Sequence, residues 1–186
     1  MTATITDFAA LTGTYAIDPA HTRFGFVARH AMVTKVRGSF NEFEGTTTVD
    51  GADLSKSSVS ITLKTASIDT RNAQRDGHLL SNDFLDVANH PEITFVSTSI
   101  AHQGGDDFEV SGNLTIKGVT KSITFPLEFT GSATDPFGNH RVGLEGAMSI
   151  NRSDFGVNFN AALETGGVLV SEKVTIECEI SAIKSA

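Results

Sequence analysis

The sequence predicts an all-β fold of about eight antiparallel strands with a short helix beside them. Three observations predict this fold: apolar and polar residues alternate along many short segments, turn residues separate those segments, and one stretch lacks the alternation. An alternation with period two gives a strand one apolar and one polar face, which is typical of half-buried antiparallel sheets.

The alternating segments follow one another along the whole chain. A clear example is the series Ile123, Phe125 and Leu127, whose intervening residues are mostly polar. Turn residues such as Asp50-Gly51 and Lys117-Gly118 separate the segments. The predicted strands lie near residues 14–18, 22–30, 36–50, 57–66, 92–101, 107–118, 121–133, 139–151 and 169–184, and the first two can form one bent strand.

The segment between Ser67 and Pro91 breaks the alternation. Asp69 or Thr70 can cap a short helix that begins near Arg71, since both side chains accept hydrogen bonds at helix N-termini. An insertion of this length between strands usually covers or binds something. We therefore expect it over one open end of a barrel.

The apolar faces of the strands must meet in an interior. Eight strands closed into a barrel leave room for packed side chains or for one small ligand. The chain has 13 Phe, one Tyr and no Trp, so a lumen would be apolar and would suit a hydrocarbon chain. Alternation does not distinguish this barrel from a β-sandwich with a filled core, and both stay open at this point.

Length and charge narrow the classes of function. A chain of 186 residues has the size of one domain, and we expect a domain over 14–186 after a flexible segment at 1–13. The formal net charge is −8, whereas a nucleic-acid binder needs a basic surface. The sequence lacks a signal-peptide pattern and a membrane-spanning run, so we expect a cytoplasmic protein without stable membrane insertion.

No catalytic motif or metal-ligand spacing occurs, and no metal or cofactor is expected. His78 and Ser81 are too close in sequence to form an aligned triad. Phe24, Phe26 and His30 share one strand face, so His30 is predicted inside the lumen if that face points inward. The lone Cys178 continues an apolar series and is interpreted as a small buried hydrophobe.

Two arginine clusters have two interpretations. Arg71 and Arg75 lie beside Asp76, and Arg152 lies beside Asp154. We expect ion pairs that dock the connecting segments onto the barrel. The alternative is recognition of an anionic head group, since guanidinium groups suit phosphate.

Several longer motifs together resemble one known family. They are YAIDPAHT at 15–22, SIDTRN at 67–72, RDGHLLSNDFLD at 75–86, HPEITF at 90–95, GNLTIKGVTK at 112–121 and INRSDFG at 150–156. In this order they resemble the YceI-like family of lipocalin-like, polyisoprenoid-binding proteins. One departure is the turn Asp135-Pro136-Phe137-Gly138, where the family commonly has Trp in place of Phe.

The resemblance implies an eight-stranded antiparallel lipocalin-like barrel with a short helix covering one end. It implies a long apolar pore for an isoprenoid quinone, a polyisoprenoid or another amphiphilic lipid, a homodimer, and no enzymatic activity. Many relatives carry a signal peptide, which we do not expect in this chain. Combined with the strand parity, the resemblance assigns the pore and its mouth to Phe24, Phe26, His30, Leu79, Leu80, Phe84 and Phe95.

The predicted function is therefore non-enzymatic binding, storage or transport of such a lipid. One alternative is an enzyme acting on a small apolar substrate through His30 or His78. The other is a stress-related scaffold protein whose barrel is filled by its own side chains.

Overall fold

A computed structural model gives the structure of residues 6–185. Antiparallel strands make up most of its regular structure, and short 3-10 turns lie at Phe8–Leu11 and Arg152–Phe155. The elements in chain order are β1 (Gly13–Ile17), β2 (Arg23–His30), β3 (Thr34–Phe40), β4 (Phe43–Val49), β5 (Ser58–Lys64), β6 (Ile68–Asp69), α1 (Ala73–Leu80), β7 (Glu92–Gly104), β8 (Asp107–Ile116), β9 (Val119–Thr134), β10 (His140–Asn151) and β11 (Lys173–Lys184).

The strands close into a barrel. Hydrogen bonds join β1, β4, β5, β7, β8, β9, β10 and β11 in that order, and β11 pairs back with β1. Ile17 of β1 lies opposite Ala182, and Val27 of β2 lies opposite Thr175, so β1 and β2 run along the same neighbour. They are one bent strand, β3 and β4 form a second, and the predicted eight-stranded antiparallel barrel is confirmed.

The burial of side chains follows the predicted alternation. In β9 the residues Ile123, Phe125 and Leu127 are half-buried, whereas Thr124 and Pro126 between them are exposed. The inward residues pack with those of neighbouring strands because every pleated strand contributes the same face to the interior. The sequence series therefore become the inner wall of the barrel.

The barrel has two ends that differ in what lies across them. The helix end carries α1 with the following residues 81–91, the turn between β2 and β3, and the loop 156–172. The N-terminal end carries Phe8–Leu11, the connection 50–57, and the turn 135–139.

The helix that covers one end is short and begins later than predicted. Its N-cap is Asn72, whose side chain accepts a hydrogen bond from the Arg75 backbone N–H at 2.9 Å, so the expected caps Asp69 and Thr70 are wrong. Thr70 instead anchors the helix: its N–H donates to Asp76 at 2.9 Å, and its carbonyl accepts from Arg75 at 2.8 Å. Within residues 6–185 no helix is long and apolar enough to cross a membrane.

The segment before β1 packs against the barrel. Residues 1–5 of the expected flexible segment lie outside the described residues. The Phe8 ring contacts the rings of His102, Phe108 and Phe129 edge-on, with centroids 5.3, 5.4 and 5.4 Å away. The hydroxyl of Tyr15 donates to the Leu11 carbonyl at 2.8 Å. These contacts place Phe8 across the N-terminal end.

Candidate functional site

The barrel interior contains a cavity of about 230 Å³ near the helix end. Its surface is apolar throughout, because the polar atoms of its lining residues point away from it. Ligand sites for drug-sized molecules have roughly 300–1,000 Å³, so this cavity suits one narrow apolar group. Its central walls come from β2, β7, β10 and β11 and include Phe24, Phe26, Ala28, Phe95, Met148, Ile150, Ile176 and Cys178.

Most of the residues predicted to line the pore contact this cavity. Phe24 and Phe26 lie on its β2 wall, and Phe95 lies on its β7 wall. Leu79 and Phe84 close it from the segment between Ser67 and Pro91, which we call the cover segment. Phe24 and Phe84 are almost completely buried, so their rings form rigid walls. Whether these residues bind a ligand stays a prediction.

Two predicted residues lie elsewhere. The inward position expected for His30 is wrong: β2 extends past the cavity at Ala28, and His30 is exposed at the strand end, bridged to Val170. Leu80 does not line the cavity either. Neighbouring residues on a helix point about 100° apart, and of this pair Leu79 is the one that faces the cavity.

Several lining residues were missed by the sequence reasoning about the site. Met148 and Ile176 contact the cavity from β10 and β11. Both belong to alternating apolar series, so the parity that located Phe24 could have located them as well. Phe155 and Val157, in the turn after β10, had no periodic signal.

A buried arginine holds the helix end together. Arg152 is 6% exposed, and its guanidinium donates to the carbonyls of Ser171, Val157 and Phe159, each at 2.8 Å. Burial lowers the pKa of Arg152, and the charge of Glu172 opposes that shift. The expected ion pair with Asp154 is wrong, since Arg152 binds backbone carbonyls and fixes the loop 156–172 against the barrel.

The second arginine cluster also uses the backbone. Arg75 donates through Nε to the Thr70 hydroxyl and through Nη2 to the Thr70 carbonyl, both at 2.8 Å. Among residues 6–185 neither Arg71 nor Arg75 forms an ion pair with Asp76. The expected docking of the cover segment is therefore achieved by hydrogen bonds, and the expected ion pairs are absent there.

The histidine of the cover segment is part of its packing. His78 Nε2 lies 2.8 Å from Asp83 Oδ2, and the imidazole ring packs edge-on against Phe84 and Phe159 with centroids 5.0 and 4.9 Å away. The Ser81 hydroxyl donates to the His78 carbonyl and not to its ring. This arrangement lacks the hydroxyl-to-imidazole hydrogen bond of an activated nucleophile.

A second, smaller cavity of about 100 Å³ lies toward the N-terminal end. Ile61, Phe125 and Cys178 line both cavities, so these three side chains form the partition between them. Burial raises the pKa of the Cys178 thiol to about 11. At neutral pH the thiol is therefore protonated and behaves as an apolar wall group.

The barrel wall is incomplete between β9 and β10. Their ladder ends at Glu145 opposite Glu128, and Pro126, which has no N–H to donate, lies just beyond. From this point toward the helix end, an open groove of about 510 Å³ separates β9 from β10. Ile123, Met148, Ile150 and Phe155 line both this groove and the larger cavity. Only side chains, without backbone hydrogen bonds, close the wall there.

Comparison with known proteins agrees with this architecture. Residues 15–182 match the YceI-like domain family. A UPF0312 protein of Staphylococcus aureus is 40% identical over 164 residues, which cover 88% of this chain and 93% of that protein. A UPF0312 protein of Azotobacter vinelandii is 39% identical over 150 residues, covering 80% of this chain and 78% of that protein.

Solved structures share the fold. BcnA of Burkholderia cenocepacia has a TM-score of 0.78 at 27% identity, over 89% of this chain and 98% of that one. A polyisoprenoid binding domain from Saccharophagus degradans has a TM-score of 0.70 at 15% identity, over 92% of this chain and 98% of that one. The YceI-like domain family matches residues 15–182, which is nearly the whole barrel, and this chain therefore belongs to the YceI-like family.

Proposed function

We propose that this protein binds an amphiphilic lipid with an isoprenoid or similar long apolar chain, holds the chain in the larger cavity, and stores or carries it. The observation that supports this most is the wholly apolar surface of that cavity. Removing apolar surface from water stabilises binding by about 0.8 kcal/mol per methylene and needs no directional partner. A polar substrate would find no hydrogen-bonding group there.

The walls favour a chain over a compact molecule. Phe24 and Phe95 give flat, rigid surfaces, and the partition of Ile61, Phe125 and Cys178 separates the larger cavity from the smaller one. The partition consists of side chains, and side chains can change rotamer without breaking the hydrogen bonds between strands. A chain longer than the larger cavity would therefore extend past Cys178 into the second one.

Two routes lead from the cavity to solvent. One passes the cover segment, where Leu79 and Phe84 close the helix end. The other passes the groove between β9 and β10, where Lys121 and Lys173 lie beside the apolar wall. We propose that the polar head of the lipid stays at one of these openings while the chain is buried.

The family relationship supports binding over catalysis. The structural neighbour from S. degradans is described as a polyisoprenoid binding domain. His30 lies outside the cavity, and His78 is engaged by Asp83, so neither proposed enzyme residue faces the enclosed space. We therefore favour a binding protein over the enzyme. The expected homodimer and cytoplasmic location stay predictions.

Organic extraction of the purified protein, followed by mass spectrometry, tests the proposal. We expect a stoichiometric apolar lipid, and saturable fluorescence enhancement of N-phenylnaphthylamine after delipidation. The matched variants are Ala28→Phe, which places a ring in the cavity, and Ala16→Phe, whose side chain is exposed on β1. Ala28→Phe should abolish both signals and Ala16→Phe should keep them. No extracted lipid together with no saturable probe binding would support the filled scaffold instead.

A further inference from the structure

We propose that the turn between β2 and β3 docks the protein onto an anionic lipid bilayer. This surface, which we call the basic hairpin, comprises residues 29–37. The proposal goes beyond lipid binding in the cavity, because docking requires no occupied cavity. It is supported by an exposed apolar tip, cations on one face of the hairpin, and an unfavourable local structure in the turn.

The tip of the basic hairpin exposes apolar side chains to solvent. Met32 is 61% exposed and Val33 is 73% exposed, although both are apolar. Val168 of the neighbouring loop is 39% exposed beside them, where Gly167 lies against Met32. Single exposed apolar residues are ordinary, but a cluster of them at a protruding end is typical of an interaction site.

The flanks of the tip are cationic in an acidic protein. The chain has a net charge of −8, yet residues 19–41 contain four Lys or Arg residues and no Asp or Glu. Arg29 lies directly opposite Lys35, and Arg37 is two residues farther along the same strand face. No ion pair among residues 6–185 involves these three cations. They form one positive face, directed away from the cavity wall at Ala28.

The local structure costs stability. Like charges directly opposite each other in a sheet, such as Arg29 and Lys35, are destabilising. Ala31 and Met32 both have positive φ, at 50° and 63°, where a tight turn normally uses Asn or Gly. Each such residue costs on the order of 1 kcal/mol or more and is typical of functional segments. Favourable contacts between this turn and a partner would offset that cost.

An anionic bilayer fits all of these features. Its surface attracts cations by about 1 kcal/mol for each Lys or Arg near it, and its interface accepts small apolar side chains such as Met32 and Val33. The basic hairpin lies at the helix end, beside the loop that closes the cavity. A docked protein would therefore present that end to the lipid phase.

Co-sedimentation of the full chain with vesicles tests the proposal. We compare phosphatidylcholine vesicles with vesicles that also contain phosphatidylglycerol, using the delipidated protein. We expect binding to the mixed vesicles that weakens with salt, since exposed charges are screened. The double variant Lys35→Gln/Arg37→Gln should lose about fivefold in affinity per neutralised cation. Met32→Ser/Val33→Ser should lose about tenfold or more.

A control at the opposite end makes the result specific. Phe137 is 88% exposed in the turn 135–139, and Phe137→Ser should bind the vesicles as the wild type does. Because the chain has no Trp, Met32→Trp introduces a single tryptophan whose emission should shift to the blue on mixed vesicles, whereas the emission of Phe137→Trp should not shift. All the substituted positions are exposed. An unchanged melting temperature verifies that each variant is folded.

Three outcomes would overturn the proposal. One is equal binding to both kinds of vesicle. Another is wild-type binding by both hairpin variants. The third is concentration-dependent dimerisation in analytical ultracentrifugation that the hairpin variants abolish, with no vesicle binding, which would assign the hairpin to a second copy of the chain. Each outcome leaves the extraction experiment for the cavity unaffected, so the two proposals can fail separately.

Discussion

The two halves of the barrel interior are built from the same alternating strands, yet they differ in how they are filled. At the N-terminal end Tyr15 is 1% exposed and Ala182 is 0% exposed, and the remaining cavity is about 100 Å³. At the helix end the cavity is about 230 Å³. Strand alternation therefore makes the interior apolar, whereas the segments across the two ends determine how much of the interior is filled by side chains.

The covering segments explain this difference. Across the N-terminal end, Phe8 contacts Phe108 and Phe129 and fills space that the strands leave open. Across the helix end, Leu79 and Phe84 close the opening, but side chains of the protein do not fill the space beneath them. One segment acts as a plug and the other as a cover.

Large-to-small substitutions should give the largest difference in unfolding free energy between the two halves. Phe129→Ala should destabilise the fold by about 3–5 kcal/mol, because it removes a buried ring that belongs to a core cluster with Tyr15 and Val142. Phe26→Ala should cost only about 1–3 kcal/mol, since its ring already borders empty space. Urea unfolding measures both free energies. Equal losses would show that the two halves are packed alike.

Small-to-large substitutions give the complementary result. Ala182→Leu should destabilise by about 1–3 kcal/mol, because the residue is fully buried in a filled region. Ala28→Leu should change stability by less than about 1 kcal/mol while lowering N-phenylnaphthylamine binding. Thermal unfolding and probe titration are the measurements. A stable Ala182→Leu variant would contradict tight packing at the N-terminal end.

The hydrogen bond between β1 and the segment Phe8–Leu11 should contribute a smaller part of the unfolding free energy. The buried Tyr15 hydroxyl donates to the Leu11 carbonyl, and Tyr15→Phe removes this hydrogen bond while keeping the ring. We expect a loss of about 0.5–1.5 kcal/mol in unfolding free energy. Probe binding in the larger cavity should be unchanged, since Tyr15 does not line it. Reduced probe affinity would show that the two halves are coupled.

Acid should weaken the N-terminal end through a half-buried network of Asp18, Asp135 and Arg141. Hydrogen bonds from Arg141 and then His21 lower the pKa of Asp18 to about 2. Arg141 also lowers the pKa of Asp135. Because the folded pKa is below the usual value near 3.9, this stabilisation is complete above that value and is lost as the pH falls toward about 2.

The variant Asp18→Asn isolates this contribution. It should lower the melting temperature at neutral pH and flatten the fall in melting temperature below about pH 4. Calorimetry across that pH range provides the measurement. An unchanged acid slope in Asp18→Asn would assign the acid sensitivity to other carboxyl groups.

Sequence reasoning located the strands and much of the cavity wall because both depend on a period of two. The same period could not choose between barrel and sandwich, since closure depends on β11 pairing with β1 over residues distant in sequence. It failed at His30 because parity gives the face of a strand and not the length of the cavity.

The ends of the barrel were harder to predict. Phe8 lies in a short turn without periodicity, so its role as a plug depends on tertiary contacts. Arg152 was expected to pair with a neighbouring carboxylate, but its carbonyl partners become available only once the loop 156–172 folds back. The basic hairpin, in contrast, can be recognised in the sequence as a stretch with Lys and Arg but without Asp or Glu. Its exposure to solvent cannot be recognised there.

If the larger cavity takes up an apolar chain, the alkylation rate of Cys178 in the folded protein should depend on whether that chain is bound. Cys178 is the single cysteine of the chain and lies in the partition between the two cavities. We predict that N-ethylmaleimide modifies it slowly, that farnesol slows the reaction further in a saturable way, and that Ala28→Phe abolishes this protection. Saturable farnesol binding with an unchanged rate of Cys178 alkylation would contradict the account.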